Sequence, residues 1–492
     1  MRLAPVMRWF VITLALVLLA IAGWIQFRFG SVTLEQILLN LPTNGAEGTG
    51  SPELVLEGIG IGIGLPLLVA GAALLVATLL RRRRSSRPAR RPWALPLLAF
   101  ATSLGVLLSV AGVPEYATGL LLDRSIAPYY LHPAVTANAQ RPRNLVTIYL
   151  ESGENTYSDA SMFGQNLLAD LDAATEGWAR FDGLQQYPGG GWTMSGLVST
   201  ECGIPLKSRS LVDGMNLNNL GEEVRTYLPG ATCLGDVLSG QDYTNVFLGG
   251  ANARFAGKGT FLTGHGYDRV LGLTDWEAAG EPRSQISEWG LSDRRLFAHA
   301  EREVDDLRAS GDPFNLTILT LDTHEPGGVF PGCDTADAEA MKTAIICSTR
   351  AASGFLEHLE TTGALADTVV VVIGDHLKAT SEGGAFKSEL DAVPDRTIIY
   401  RVWSPEKVTF ARDRADQLSV LPTTLELLGF DLPDGRAGLG VSFAKQHPLG
   451  GTALDLPDAD YRTVVTSPSS EMFKEFWGGE EPAMKPSPSP TR

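Results

Sequence analysis

The sequence predicts an α/β fold in which helices sandwich a mostly parallel sheet, preceded by three transmembrane helices. Three observations predict it. The runs 144–152 (NLVTIYLES), 244–252 (TNVFLGGAN), 314–326 (FNLTILTLDTHEP) and 367–376 (DTVVVVIGDH) are each a nearly continuous apolar, β-rich stretch that stops abruptly in polar residues. Helix-like segments separate these runs, and strands apolar along their whole length are what a sheet covered on both faces requires. The first 113 residues, by contrast, contain three long apolar stretches.

Those stretches come first in the chain. Residues 6–27 are long enough to cross a hydrocarbon core of about 30 Å as a helix, and 54–80 and 93–113 are two further candidates. Glu57 lies early in the second, so that span is expected over about 58–80. A cleaved signal peptide is the alternative for the first. Its apolar run is long for that role, and no small-x-small cleavage pattern follows it. Arg81, Arg82, Arg83, Arg84, Arg87, Arg90 and Arg91 fall between the second and third stretches with no acidic residue among them. By the positive-inside rule that loop is cytoplasmic, as is the N-terminus with Arg2 and Arg8, and loop 28–53 faces out. A third crossing then delivers everything after about residue 114 to the outer side of the membrane. The formal charge of −16 over 492 residues argues against a nucleic-acid partner for the rest of the chain.

After a linker at 114–140, strand and helix alternate through a domain expected over 141–445. Residues 164–177 and 292–310 read as helices. The second opens at Ser292, a cap residue, and places Leu296, Phe297, Ala300, Val304 and Leu307 near helical spacing. Residues 396–405 read as a further strand, and 416–443 as a helix followed by a glycine-rich closing turn. A tail at 446–492 ends in KPSPSPTR, a composition that predicts disorder at its end. All four cysteines, Cys202, Cys233, Cys333 and Cys347, lie in this exported part. An even number there points to two disulfides, and proximity in sequence pairs Cys202 with Cys233 and Cys333 with Cys347, one of three possible connectivities.

In open α/β sheets ligands bind beyond the carboxyl ends of the strands. The residues that end the predicted strands are Glu151, Asn252, His324, Asp375 and His376. Each alone is as readily a cap or a surface group. Together, two carboxylates and imidazoles at equivalent places in one sheet suit a divalent cation, Mn²⁺ or Mg²⁺, with Zn²⁺ also compatible. Glu154, three residues beyond Glu151, is a rival ligand that spacing does not exclude. The stretch 185–206 (QQYPGGGWTMSGLVSTECGIPL) adds a hydroxyl-rich turn after three glycines, with Thr193, Ser195, Ser199, Thr200 and, further on, Ser208. No Lys-Ser/Thr follows at P-loop spacing, so this is no nucleotide cradle. The glycines read as a tight turn that presents a hydroxyl.

The motifs YLESGENTY, GGGWTMSGLVSTECGIPL, FAGKGTFLTGHGYD, EWGLSDRRLF, DTHEP and IGDH, in that order, resemble the phosphoglycerol transferases of the sulfatase and alkaline-phosphatase superfamily, the group that includes lipoteichoic acid synthases. The likeness is strongest to the branch that modifies osmoregulated periplasmic glucans, and it covers roughly 140–445. It implies a sulfatase-like fold with Glu151, Thr193, Asp375 and His376 as ligands of one cation, Mn²⁺ foremost, and Thr193 also as nucleophile. It implies that His324 binds the phosphoryl oxygens or protonates a leaving group. Lys258 stands where lipoteichoic synthases carry an Arg that contacts phosphoglycerol, and Asn252 and Phe255 complete the expected substrate-binding set. Those enzymes have a Trp where this chain has Ala256, a departure that favours the periplasmic-glucan branch. The Cys/Ser-x-Pro-x-Arg signature of formylglycine sulfatases is missing at 193.

The implied activity is transfer of glycerophosphate from a phosphatidylglycerol-type lipid to a glycan of the cell envelope. It would occur at the outer face of a bacterial inner membrane, through a glycerophospho-threonine. Arg254 and Lys258 are the local basic residues expected to meet the anionic lipid. Alternatives are a phosphoethanolamine transferase or phosphodiesterase of the same superfamily, or a non-catalytic membrane regulator that senses glycans. Ser195 is the fallback nucleophile.

Overall fold

In the computed structural model of the protein the described residues are 3–29, 34, 37, 52–83, 93–122, 125–136, 143–207, 225–333, 339–380, 384–467 and 470–478. The arginine-rich loop beyond residue 83, most of loop 28–53, Ser208 and the KPSPSPTR end lie outside them. The chain divides into two units, Met1–Leu121 and a larger one formed by Leu122–Thr380 with Gly384–Arg492.

The N-terminal unit has two helical stretches long and apolar enough to cross a membrane, Val6–Phe27 and Leu56–Leu80, not the three expected. The third apolar run forms a helix of only 17 residues, Ala94–Val110. At about 1.5 Å per residue it covers roughly 25 Å, short of a hydrocarbon core of about 30 Å. The break has a local cause. Gly112 takes a left-handed φ of +66°, and Pro114 falls in the first turn of the next helix, Val113–Leu122, where its missing N–H does no harm. The second stretch begins before Glu57 rather than after it. The Glu57 carboxylate accepts a hydrogen bond from Trp24 Nε1 at 3.2 Å.

In the larger unit the strands are β1 (Asn144–Leu150), β2 (Ala179–Arg180), β3 (Leu184–Gln185), β4 (Thr244–Gly249), β5 (Arg269–Leu271), β6 (Phe314–Leu319), β7 (Thr368–Gly374), β8 (Tyr400–Trp403), β9 (Ala415–Asp416), β10 (Arg436–Ala437) and β11 (Gly440–Val441). Seven of them form one sheet in the order β2-β8-β7-β1-β6-β4-β5. The five from β7 to β5 run parallel, whereas β8 is antiparallel to β7 and β2 to β8. The apolar runs become the central strands because both faces are covered: β6 and β7 are buried at every residue. On one face Val146, Ile148, Val370 and Val372 meet Leu296, Phe297 and Val304 of the helix Asp293–Ser310, with Ile345, Phe355 and Leu359 of Ala340–Thr361. Each such side chain contributes about 1.5–3 kcal/mol on burial.

Ser292 stands at the N-cap position of Asp293–Ser310, but its hydroxyl donates to Gln285 Oε1 at 2.8 Å instead of capping. The helix expected over 164–177 is shorter. A left-handed Gly164 ends the turn Ala160–Phe163, and the helix proper is Ala169–Ala174.

The opposite face of β1 carries a ten-residue helix, Thr193–Cys202. Tyr149 Oη meets Thr200 Oγ1 at 2.8 Å and donates to Glu201 Oε1 at 3.2 Å, while Tyr267 Oη donates to Glu201 Oε2 at 3.2 Å. Burial pushes the Glu201 carboxyl up to about 7, against the lowering by its two tyrosine donors. Cys202, at the end of this helix, is joined to Cys233, and Cys333 is joined to Cys347.

Two peripheral segments pack onto the folded unit. Within the expected 114–140 linker, Leu131 pairs with Gly438 and Thr136 with Asp431, so that stretch is laid onto the folded unit. Beyond 446, helices Asp458–Thr466 and Ser470–Phe476 form, and Phe473, Phe476 and Trp477 are buried. Trp477 Nε1 donates to the Lys207 carbonyl at 3.0 Å. Three aromatics that gain a dry environment explain why the described part of the tail packs.

Candidate active site

The register of the parallel strands sets the site. Leu150 at the end of β1 stands opposite Gly374 at the end of β7, and Tyr149 stands opposite Leu319 at the end of β6. Glu151 after β1 and Asp375 after β7 therefore emerge at one level, with Thr320 after β6 one residue behind them. Thr320 Oγ1 accepts the Glu151 N–H at 2.9 Å, and Thr323 Oγ1 donates to the Glu151 carbonyl at 2.5 Å. The close approach of β1 and β7 requires a residue without a side chain, since a Cβ on Gly374 would lie 1.9 Å from the Gly153 carbonyl oxygen.

Glu151, Asp375 and His376 bring their ligand atoms within 4.8 Å of one another, all buried. Asp375 Oδ1 accepts the backbone N–H of Ser152 and of His376, both at 2.8 Å. Its Oδ2 is buried without a hydrogen-bond partner, a costly arrangement in a dry site unless a cation takes it. His376 Nδ1 donates to the Leu377 carbonyl at 2.8 Å. That bond fixes the tautomer and leaves Nε2 facing Glu151 Oε1 at 3.4 Å and Asp375 Oδ2 at 3.6 Å.

The electrostatics agree with a cation site. Burial, then the Glu151 charge, push Asp375 up to about 7. Burial opposes a charge on His376, yet Asp375 and Glu151 push it up to about 10. Burial likewise works against an ionised Glu151, but His376, His324 and Ser152 hold it well below the usual carboxylate range. Two buried carboxylates, one unpartnered oxygen and an imidazole with a directed lone pair fit a divalent cation.

Thr193 completes the group. It is the first residue of its helix, after an extended Trp192, and its Oγ1 donates to Glu151 Oε2 at 3.1 Å. Of the three glycines before it, Gly189 supplies a left-handed φ of +105° and Gly190 a close approach. A Cβ on Gly190 would stand 2.3 Å from Gln417 Oε1. Gln417 itself donates from Nε2 to the Asp375 carbonyl at 2.7 Å, tying the turn to the end of β7. Ser195 is fully buried and bonded to Tyr187 Oη and to the Gly189 carbonyl, so it points away from Glu151's partners.

Glu154 is separated from this group. It is buried and paired with Arg396, and it also accepts the Lys378 N–H. Among the described residues one other cluster, Cys233, Asp236 and His265, has metal-ligand composition. There the cysteine is in a disulfide, and both nitrogens of His265 are engaged, by Asp236 Oδ2 at 2.7 Å and the Tyr227 carbonyl at 3.1 Å.

The remaining expected residues gather on the β4–β6 side. Lys258 is buried, which pushes its ammonium down to about 8 against the pull of the Glu151 and Asp375 charges. His324 is near enough to Glu151 to help keep it ionised. Asn252 serves its own turn, its Oδ1 accepting the Arg254 N–H at 2.9 Å. Phe255 stands edge-on to Trp289, ring centroids 6.3 Å apart. Reading by strand ends did not single out Ser152, Trp289, Arg396 or Gln417. Ser152 has a signal of a kind, a non-glycine residue at φ +54° where backbone strain marks function, but no sequence pattern announces it.

The sulfatase family profile matches residues 143–430, more than half of the chain. The chain belongs to the sulfatase family. Phosphoglycerol transferase I of Escherichia coli O139:H28 is 32% identical over 469 residues, covering 92% of this chain and 58% of that protein. The protein of the same name from Salmonella paratyphi B is 32% identical over 470 residues with the same coverage. This sulfatase-family chain thus spans less than two thirds of the length of the curated relatives it matches. A protein of the alkaline phosphatase superfamily from Vibrio parahaemolyticus superposes with a TM-score of 0.52 at 22% identity. That alignment covers 68% of this chain and 80% of the other, and shows that the fold is shared.

Proposed function

We propose that the protein is a membrane-anchored phosphoglycerol transferase that moves glycerophosphate from a phosphatidylglycerol-type lipid to a glycan of the cell envelope. One observation carries the reading. A half-buried threonine hydroxyl at a helix N-terminus is bonded to Glu151, beside the unpartnered Asp375 Oδ2 and the directed His376 Nε2. The name of the matched relatives supports the group transferred. Apolar N-terminal helices support membrane anchoring, and two disulfides support a catalytic unit on an oxidising, extracytoplasmic side.

Glu151, Asp375, His376 and Thr193 would hold the cation, Mn²⁺ foremost with Mg²⁺ and Zn²⁺ as alternatives. When bound, it supplies Lewis acidity that acidifies a hydroxyl and neutralises phosphoryl charge. Thr193 Oγ1 attacks the phosphorus of the donor, its proton passing toward the Glu151 oxygen it already faces. The bond from phosphorus to the diacylglycerol oxygen breaks, and His324 supplies the proton that completes diacylglycerol. A hydroxyl of the acceptor glycan then attacks the glycerophospho-threonine and loses its proton to His324, while the bond from phosphorus to Thr193 Oγ1 breaks and Glu151 returns the proton that restores the hydroxyl. Lys258 and the N-terminal N–H groups of the Thr193–Cys202 helix face the negative charge that builds on the phosphoryl oxygens. Arg254, exposed and four residues before Lys258, is the basic residue expected to meet the lipid headgroup.

The test is mass spectrometry of envelope glycans from cells with and without the protein. Glycerophosphate substituents present only with the protein support the reading. Identical glycans, or phosphoethanolamine in their place, contradict it.

A further inference from the structure

We propose that Trp289 is a positioning residue for His324, holding its imidazole at the edge of the site by ring contact; this rests on the role given to His324 above. Four observations converge on it. The ring centroids of Trp289 and His324 are 4.1 Å apart with the planes tilted by 43°. The imidazole has one polar tether, Nδ1 donating to the Glu325 carbonyl at 3.1 Å. A single tether on a half-buried histidine leaves the ring free to swing about χ2 unless a neighbour fills one face, and Trp289 is that neighbour.

The second observation is that Trp289 is itself built in rigidly. Ser287 Oγ accepts the N–H of Trp289 at 3.1 Å and of Gly290 at 3.3 Å, and Ser287 N donates to the Gly290 carbonyl at 2.8 Å. Gly290 has a φ of +149°, and a Cβ there would meet the Gly250 carbonyl at 2.2 Å and Leu321 Cδ2 at 2.9 Å. The turn is thus wedged between the chain leaving β4 and the chain leaving β6, and the second of these carries His324.

Third, the indole is not placed by a hydrogen bond of its own. Trp276, Trp403 and Trp477 each donate Nε1 to a backbone carbonyl. Trp289 Nε1 is buried with no partner, an arrangement that costs stability and that packing for its own sake does not require. Fourth, Phe255 lies edge-on to the indole, so Trp289 joins the segment carrying Lys258 to the one carrying His324. The chain accepts an unsatisfied donor to keep a flat ring between them.

The test uses full-length protein in detergent with phosphatidylglycerol vesicles, following diacylglycerol release. Trp289→Leu is expected to lower kcat about 3- to 10-fold, the range for losing one aromatic pair, with KM nearly unchanged. Trp289→Phe, which keeps a ring, is expected to retain at least half of kcat. Mn²⁺ binding is expected to be unaltered in both. In a His324→Ala background Trp289→Leu is expected to cost nothing more, because its effect passes through the imidazole. Multiplying losses in that background, or equal damage by Leu and Phe, would overturn the proposal. Should the wild-type protein release no diacylglycerol, the donor assignment fails separately. The crystal structure of Trp289→Leu then decides, with His324 expected to leave its Glu325 tether and an unmoved imidazole contradicting the proposal.

Discussion

Gly196 lies against the backbone of Asp375: a Cβ at 196 would stand 2.1 Å from the Asp375 carbonyl oxygen. The helix that begins at Thr193 reaches the strand end carrying Asp375 only because its fourth residue has no side chain. The contact is backbone to backbone, so no rotamer change relieves an added methyl. Gly196→Ala should destabilise the protein by about 1–3 kcal/mol. It should lower turnover by roughly 10²-fold, because Thr193, the proposed nucleophile, shifts by a fraction of an ångström or more. Thermal melting and steady-state kinetics check the pair; a folded, fully active variant would show that helix placement is not critical.

Glu151 and Glu154 are three residues apart and differ in partner, the first facing Asp375 and His376 and the second bonded to Arg396. Glu151→Gln should abolish Mn²⁺ binding in calorimetry while leaving the fold intact. Glu154→Ala should leave one Mn²⁺ site but cost about 3 kcal/mol, since Arg396 loses its buried partner. The opposite pattern would exchange their roles.

The metal-free protein should lose stability as pH rises. Burial and Glu151 raise Asp375 from 3.8 to about 7, so its folded form keeps a proton that the unfolded chain has released, and stability falls between those values. His376, raised from 6.5 to about 10 by Asp375 and Glu151 against its burial, contributes stability that is full below 6.5 and lost as pH rises through 10. Glu151 is depressed, so its contribution is constant above pH 5. Other buried acids, Glu201 and Asp416 among them, act in the same direction without the cation. The difference in Tm between Mn²⁺ and chelator should therefore widen from pH 5 to pH 9. A constant or shrinking difference would contradict the site.

A reporter fused after Ser86 should be cytoplasmic and one fused after Gly119 exported. The Ala94–Val110 helix is short for a full crossing, so the fusion experiment decides whether it spans. Two cytoplasmic reporters would place the catalytic unit on the wrong side for its proposed donor.

Much of the fold was legible because its signal is local. Continuous apolar runs became β1, β4, β6 and β7, and their abrupt polar ends became the site, since parallel register brings Glu151 and Asp375 to one level. The pairing partner of a charge was not legible, because it is set by tertiary contact: Arg396 lies 242 residues from Glu154. Trp289 was hidden for the same reason, its ring meeting His324 through a turn wedged between two strand ends. The third apolar run folds as a shorter helix than its length suggested, because hydropathy registers apolar length but not the helix break at Gly112 and Pro114. The packing of the tail was not legible from its Pro, Ser and Asp content, although Phe473, Phe476 and Trp477 supply apolar surface to dock.

The central claim is that Thr193 carries the glycerophosphoryl group. The protein is incubated with phosphatidylglycerol and Mn²⁺ without acceptor, quenched in acid, and its peptides are mapped by mass. A glycerophosphoryl group on Thr193, absent from Thr193→Ala, is the predicted result. Diacylglycerol release with no adduct, or an adduct on Ser195, would contradict it.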